Sequence, residues 1–371
     1  VYKKISKDCV NFFILVIFTI SIIIWVLQAV NYLDFVIEDG HGFLVYFKYT
    51  LLSFPKIISR IFPFAIILAF SYILLKYEIK NELVIFWNFG IKKISFINFF
   101  IKFSIWFVLL SLILNAVITP FAQDKARSYI RSSNLDFFES ILKPKKFIDV
   151  IGNLTIYFDE KGEDKELKNI FLNEIIDFNN SKTTIAKNGL IKISNNRKIL
   201  KLYDGKTINN INGKISEFKF SKTDFNISKF SSNSTTHQKT QETASIELIK
   251  CVLLLSNLSK KYEIEKINNC RLDNLENIYE ELYSRMVKPL YVTFLITISL
   301  LIILKSKSEP SFNFYKLKIY LFGFISIIFL ESSSKFISSN LLQNLLLSIL
   351  PLFLTLSVYL YFLMKLKMNK K

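Results

Sequence analysis

Cysteine and histidine are nearly absent. Only Cys9, Cys251 and Cys270 occur among 371 residues, and no two of them form a CxxC pair. That count supports neither a disulfide framework nor a zinc site, and a Cys251–Cys270 bridge stays open as the disfavoured option. His41 and His237 stand far apart in polar surroundings, where a solvated loop position is a simpler account than a ligand or a base. No Ser/His/Asp set, HExxH or clustered acid pair is present, so no catalytic residue, metal or cofactor is expected. "DGKT" at 204–207 imitates the end of a phosphate-binding loop, but that loop needs a glycine where Leu200 stands. Basic blocks interleaved with exposed aromatics are missing too. The formal charge of +18 is therefore not read as nucleic-acid binding.

What the chain has is apolar length. Hydrophobic residues make up 51% of it, with 37 phenylalanines and a mean hydropathy of +0.34, a composition that points to a membrane protein. Six segments are candidates to span, over about 10–31, 57–76, 96–119, 287–304, 318–335 and 341–364. The first is too long for a signal peptide and lacks a small-residue cleavage site, so it reads as a retained helix. Lysines precede the first span (Lys3, Lys4, Lys7), flank the second connection (Lys76, Lys80, Lys92, Lys93), bracket the fourth (Lys305, Lys307, Lys316, Lys318) and end the chain. The first connection instead carries Asp34, Glu38 and Asp39. The positive-inside rule then places both termini in the cytoplasm and the long segment 123–284 on the opposite side.

That segment follows different rules. "LTIYFDE" alternates, with Leu154, Ile156 and Phe158 on one face. Leu200 with Leu202 and Phe218 with Phe220 form further same-face pairs, and "KGED", "NNSK", "NNRK" and "INGK" punctuate at hairpin intervals. An antiparallel β domain is expected: a sandwich, jelly roll or open barrel. From residue 245 the rhythm turns helical. The expected organisation is three spans over 1–122, the β domain with a helical return over 123–284, and three spans over 285–371.

Between the second and third spans lies "NELVIFWNFGIKK", residues 81–93. It is apolar and aromatic, yet too short to cross a bilayer. As a helix it aligns Leu83, Phe86 and Trp87, with Asn81 as N-cap, Glu82 in the first turn and Gly90 as C-cap. Composition alone favours an amphipathic helix lying in the membrane interface. The alternative is a cytoplasmic helix that docks on a partner.

Several stretches resemble the lipopolysaccharide-export permeases of the LptF/LptG type. "FPKIISRIFPFAIILAFSYILLKYEIKNELVIFWNFGI" is similar to the family's span with its following cytoplasmic helix. "LNAVITPFAQDKARSYI", "LKPKKFIDVIGNLTIYFDEKGEDKELKNIFLNE" and "ELYSRMVKPLYVTFLITISL" are similar to its third-span exit, β-domain start and return to the membrane. "WVLQAVNYLDFVIEDG", with Trp25, Gln28 and Asp34, looks more like LptF than LptG. The resemblance implies an inner-membrane fold of six helices with a jelly-roll-like periplasmic domain inserted between the third and fourth. It implies a non-catalytic subunit beside an LptG-like sister permease, an LptB-like cytoplasmic ATPase dimer and LptC/LptA-like periplasmic bridge proteins, with lipopolysaccharide as substrate. It implies that Glu82 is the coupling acid that meets the ATPase, with Leu83, Phe86 and Trp87 supplying apolar contact. This chain departs from the family in replacing small alanines by Phe86, Trp87, Asn88 and Phe89. A membrane-anchored envelope scaffold with a β domain, or a permease for another lipid, stands as the alternative.

Substrate contacts are weighed against plainer roles. Lys56 and Arg60 share a helix face where they would meet lipid phosphates or snorkel to the interface. Gln28 faces a cavity or marks the interface. Glu331 and Lys335 read as an i,i+4 pair. Leu154, Ile156, Phe158, Leu200, Leu202, Phe218 and Phe220 read as core from sequence alone, whereas the resemblance assigns some of them to an acyl-chain groove.

Overall fold

A computed structural model describes residues 2–33, 43–141, 144–150, 154–162, 166–177, 180–194, 197–211, 213–226, 238–256 and 270–368. His41, His237 and Asp34 lie outside these. The helices are α1 (Tyr2–Asn31), α2 (Phe43–Ile79), α3 (Glu82–Asn88), α4 (Lys93–Ile113), α5 (Thr119–Ile141), α6 (Ser245–Ser256), α7 (Leu275–Leu282), α8 (Tyr291–Leu300), α9 (Phe312–Ser333) and α10 (Leu341–Met368). A π turn at Leu114–Ile118 joins α4 to α5, and a second at Tyr283–Val287 leads from α7 toward α8. Among the described residues six helical stretches are long and apolar enough to cross a membrane: Tyr2–Asn31, Phe43–Ile79, Lys93–Ile130, Leu272–Leu304, Phe312–Phe336 and Leu342–Lys367. Each exceeds its apolar segment because hydropathy marks the part that suits lipid, whereas the backbone ladder continues into polar flanks.

By contact the chain forms two compact units, residues 1–31, 50–126 and 238–371 in one, and 32–49 and 127–237 in the other. The described parts of the helical return, 238–256 and 270–284, thus belong to the unit that holds the spans. In the first unit α1 contributes Ile5, Cys9, Phe13 and Ile17, a stripe at four-residue spacing. Phe100 and Phe107 of α4 meet Phe70 of α2, and Phe96 and most of α8 belong to the same buried cluster. Small and hydroxylated residues let the helices approach. Gly323 of α9 lies where a β-carbon would strike Ile67. Ser71 Oγ donates to Ser299 Oγ at 3.0 Å, and Ser104 Oγ to Thr293 Oγ1 at 3.0 Å.

The second unit holds one antiparallel seven-stranded sheet: β1 (Ile148–Val150), β2 (Leu154–Tyr157), β3 (Glu160–Lys161), β4 (Glu166–Asp177), β5 (Asn180–Ser194), β6 (Arg197–Ile211) and β7 (Lys214–Asn226). The order is β1-β2-β4-β5-β6-β7, with β3 against β4, so the long strands run as a hairpin meander. The four expected turn clusters fall at its hairpins. "DGKT" lies within β6, away from any helix start.

A line of irregularity crosses the four long strands. Asn169 and Asp204 take left-handed φ of 52° and 49°, which these side chains tolerate better than most. Neither they nor Lys187 and Ser221 take part in the register on either side. Inward-facing parity switches there, from Leu167 to Ile170 and Leu172 on β4, and from Ala186 to Ile191 on β5. Gly205 is required at the bend, because a β-carbon would lie 2.3 Å from the Ile185 carbonyl and 2.5 Å from the Phe220 ring. Asp159 receives hydrogen bonds from Tyr157 Oη (2.7 Å) and Asn169 Nδ2 (2.8 Å), which together hold its carboxyl below the usual carboxylate range.

Apolar residues of β2, β4, β5 and β6 form a core. Leu154, Ile156, Phe158, Leu200 and Leu202 are buried with Leu167, Ile170, Leu172, Ala186 and Ile191. These five pack in the unit's own buried cluster, a placement shared by a core and by the inner wall of an acyl-chain groove. Phe220 is partly covered by the same cluster, while Phe218, two residues away on β7, is 59% exposed. Phe218 sits opposite Thr207 on the sheet's last strand, where no further strand covers its ring among the described residues.

Candidate functional site

The turn carrying α3 is built from two left-handed residues. Asn81 occupies the expected N-cap position with φ 61°, but its side chain makes no capping hydrogen bond. It reverses the chain after α2, its amide donating to the Glu78 carbonyl at 3.0 Å. At the other end Gly90, φ 79°, closes the helix as expected. Its amide reaches the Trp87 carbonyl (3.0 Å), and the Ile91 amide reaches that of Phe86 (3.2 Å). That pair of bonds is the Schellman arrangement, which needs a residue free to adopt positive φ.

α3 turns its expected stripe inward. Leu83 is buried in the helical core, and Phe86 and Trp87 pack against it. Trp87 meets Phe96 edge-on at 5.6 Å, and Phe86 lies 6.1 Å from Tyr77. The outer face consists of Val84, Ile85 and Phe89, with Phe89 79% exposed. Leu83 is thus unavailable to a partner, and the free apolar surface is one that the 83/86/87 spacing did not reveal. A seven-residue helix apolar on every side has no periodicity to choose between faces. Glu82 sits in the first turn and pairs with Lys4 of α1 at 3.4 Å, an exposed contact worth little.

A buried acid outside the sequence-derived set holds this turn. Glu78, near the end of α2, accepts the Lys307 backbone amide at 2.9 Å, and Lys307 Nζ returns to the Ile79 carbonyl at 2.7 Å. Lys93 Nζ donates to the Ile303 carbonyl at 3.1 Å, and Tyr77 Oη to Asp8 at 2.6 Å. The base of α3 is thereby tied to α1 and to the α8–α9 connection. The available sequence signal was one acid, Glu78, among the lysines flanking the second connection. Glu78→Ala is expected to strand the Lys307 amide and cost about 1–3 kcal/mol. Thermal unfolding in detergent checks this, and Glu78→Gln should recover part of the loss.

The charged positions on the spans do not form one cluster. Lys56 Nζ contacts Gln123 Oε1 and Gln241 Oε1, both at 3.4 Å. Arg60, one turn on, is exposed and lines a separate cavity of about 170 Å³ with Asn115, Lys288 and Glu331, which includes neither Lys56 nor Gln28. Gln28 is half-buried on α1. In that cavity Ser59 bonds Asn115, which belongs to the first π turn and donates back to the Ser111 carbonyl at 2.8 Å. Such turns mark functional positions in many helices. Glu331 pairs with Lys288 at 3.1 Å, correcting the expected Glu331–Lys335 pair. The helix tightens to 3₁₀ at Ser334–Phe336, which spoils i,i+4 alignment. Among the described residues no three His, Cys, Asp or Glu side chains converge as a metal site.

Cys251 and Cys270 form a disulfide, with their Cα atoms 5.7 Å apart. The disfavoured option is the correct one, since a count of three says nothing about which two meet in space. The bridge ties α6 to the segment before α7, over a cluster that includes Leu248 and Ile278.

With this geometry in place, comparison with known proteins is specific. Residues 4–365 match the family model described as "Lipopolysaccharide export system permease LptF/LptG". The chain is also 21% identical over 332 residues to "Uncharacterized protein RP871" of Rickettsia prowazekii (strain Madrid E), covering 89% of this chain and 88% of that protein. The six helices long and apolar enough to cross a membrane, the inserted antiparallel sheet and a family match spanning almost the whole length converge: the chain belongs to the lipopolysaccharide export system permease LptF/LptG family.

Proposed function

We propose that this chain is the transmembrane subunit of an ABC-type exporter that extracts lipopolysaccharide from the inner membrane and passes it to periplasmic bridge proteins. Its energy comes from a separate LptB-like ATPase dimer, and an LptG-like permease completes the membrane unit. The observation that carries this reading is the match over residues 4–365. The exposed Val84 and Ile85 on α3 and Phe89 just after it supply a non-spanning apolar face suited to an ATPase groove, and Glu82, paired with exposed Lys4, is positioned to exchange that lysine for a partner's cation. Lysine placement puts α3 in the cytoplasm. The disulfide favours an oxidising compartment for the opposite side. Arg60 and Lys288 at the small cavity, together with Lys56, supply cationic groups for lipid phosphates.

The test is co-purification in detergent with the candidate ATPase and sister permease. Wild type should retain both. Glu82→Arg should lose assembly or ATP turnover, and Phe89→Ala should weaken binding by about 2 kcal/mol, as truncation of a central aromatic does. A folded wild-type chain that retains no ATPase would favour the envelope scaffold instead.

A further inference from the structure

α6 presents three zones around its axis. Leu248 and Cys251 are buried, and Val252 and Leu255 pack beside them over the disulfide. Ile246, Ile249 and Leu253 fall in one narrow exposed stripe, and Glu247 and Lys250 occupy the next. A helix of that pattern, with an apolar flank left open between a packed face and a charged one, suits the plane of a bilayer boundary.

Its depth is fixed by its attachment. Ser245 Oγ, at the first residue of α6, donates to the Ala116 carbonyl in the π turn of the third span. Arg285 Nη1 donates to the same hydroxyl at 2.9 Å and to the Thr243 carbonyl at 2.8 Å. Ala116 lies roughly twenty-three residues beyond Lys93, or about 35 Å of helix rise. The hydrocarbon core is about 30 Å thick. The α6 N-terminus therefore sits where hydrocarbon gives way to headgroups, at the end of the span away from Lys93.

Between α6 and the span is a groove of about 710 Å³, lined by Val117, Phe121, Ile246, Ile249 and Met286, with Lys250 among its polar residues. Phe121 is 69% exposed and Ile246 68%. The groove's walls continue the outward surface of a membrane-crossing helix, and its volume falls in the range of small-ligand sites. We propose that α6 is an interfacial helix and that this groove takes an acyl chain of a bilayer phospholipid, with Lys250 reaching toward the headgroup phosphate. The proposal rests on the membrane-spanning fold and stands apart from the export reading.

Spin labels test it in the full chain, placed singly through Ile246→Cys, Ile249→Cys and Glu247→Cys, with Ile105→Cys, exposed midway along the third span, as the reference. Cys9 is buried and the remaining cysteines are bonded, so the label reports the new site. The protein is reconstituted in vesicles of phosphatidylethanolamine and phosphatidylglycerol, and relaxation by oxygen is compared with relaxation by a water-soluble nickel chelate. Positions 246 and 249 should follow position 105, with oxygen several-fold more effective than the chelate, and position 247 should reverse the ratio. A chelate-dominated result at 246 and 249 would overturn the proposal in favour of water. Shielding from both reagents would overturn it in favour of a protein partner.

Discussion

Arg285→Ala is expected to lower stability by about 3–5 kcal/mol, the cost of breaking a buried charged network by removing one partner. Arg285 is 2% exposed and uses its whole fork. Nε donates to Glu281 (2.8 Å), Nη1 to Thr243 and Ser245, and Nη2 to the Gln241 carbonyl (3.0 Å). Deletion leaves a carboxylate and two carbonyls without their donor, at the point where the chain re-enters the helical unit. Lysine supplies a charge but not a planar set of donors, so Arg285→Lys should recover only part of the loss. An unfolding temperature lower by on the order of 5–10 °C would accord with this cost. A change within 1 °C would mean that water replaces the guanidinium, and that the segment 241–245 is held by other contacts.

Removing the Cys251–Cys270 bridge is expected to cost about 3 kcal/mol, given a sequence separation of 19 residues. The cluster it closes is small, with Leu248 and Ile278 as its buried aliphatic residues, so packing has little capacity to compensate. Cys251→Ala with Cys270→Ala should lower the unfolding temperature and expose α6 to proteolysis. The bond itself is countable. Denatured without reductant, the protein should accept one maleimide, at Cys9, and after reduction three. Three without reductant would show that the bond does not form in the cell, and would remove that support for an oxidising outer side.

Much of this architecture was legible because hydrophobic length and hairpin punctuation are local signals. The six spans and the turns between the long strands could be read from runs of apolar residues and from Asn/Gly clusters. What escaped depends on contacts distant in sequence. Leu83, Phe86 and Trp87 were recognised as a stripe, yet which side of α3 meets the core is decided by Phe96 and Tyr77. The partner of Glu331 is Lys288, forty-three residues back and not one turn on. Leu200 and Leu202 alternated as a strand should, but core and groove share that alternation. Their burial in one cluster with Leu154, Ile156 and Phe158 depends on strands far apart in sequence. Glu78 shows in the sequence only as an acid between Lys76 and Lys80, and its role depends on the Lys307 amide 229 residues away.

The most direct test of the export account is ATP-driven release of lipopolysaccharide from proteoliposomes containing this chain, its sister permease and the ATPase, with a periplasmic bridge protein as acceptor. Release should require both ATP and this chain, and should fall with Glu82→Arg while the β unit stays folded. Release at an undiminished rate without this chain, or an intact complex that turns over ATP and moves no lipopolysaccharide, would contradict the account.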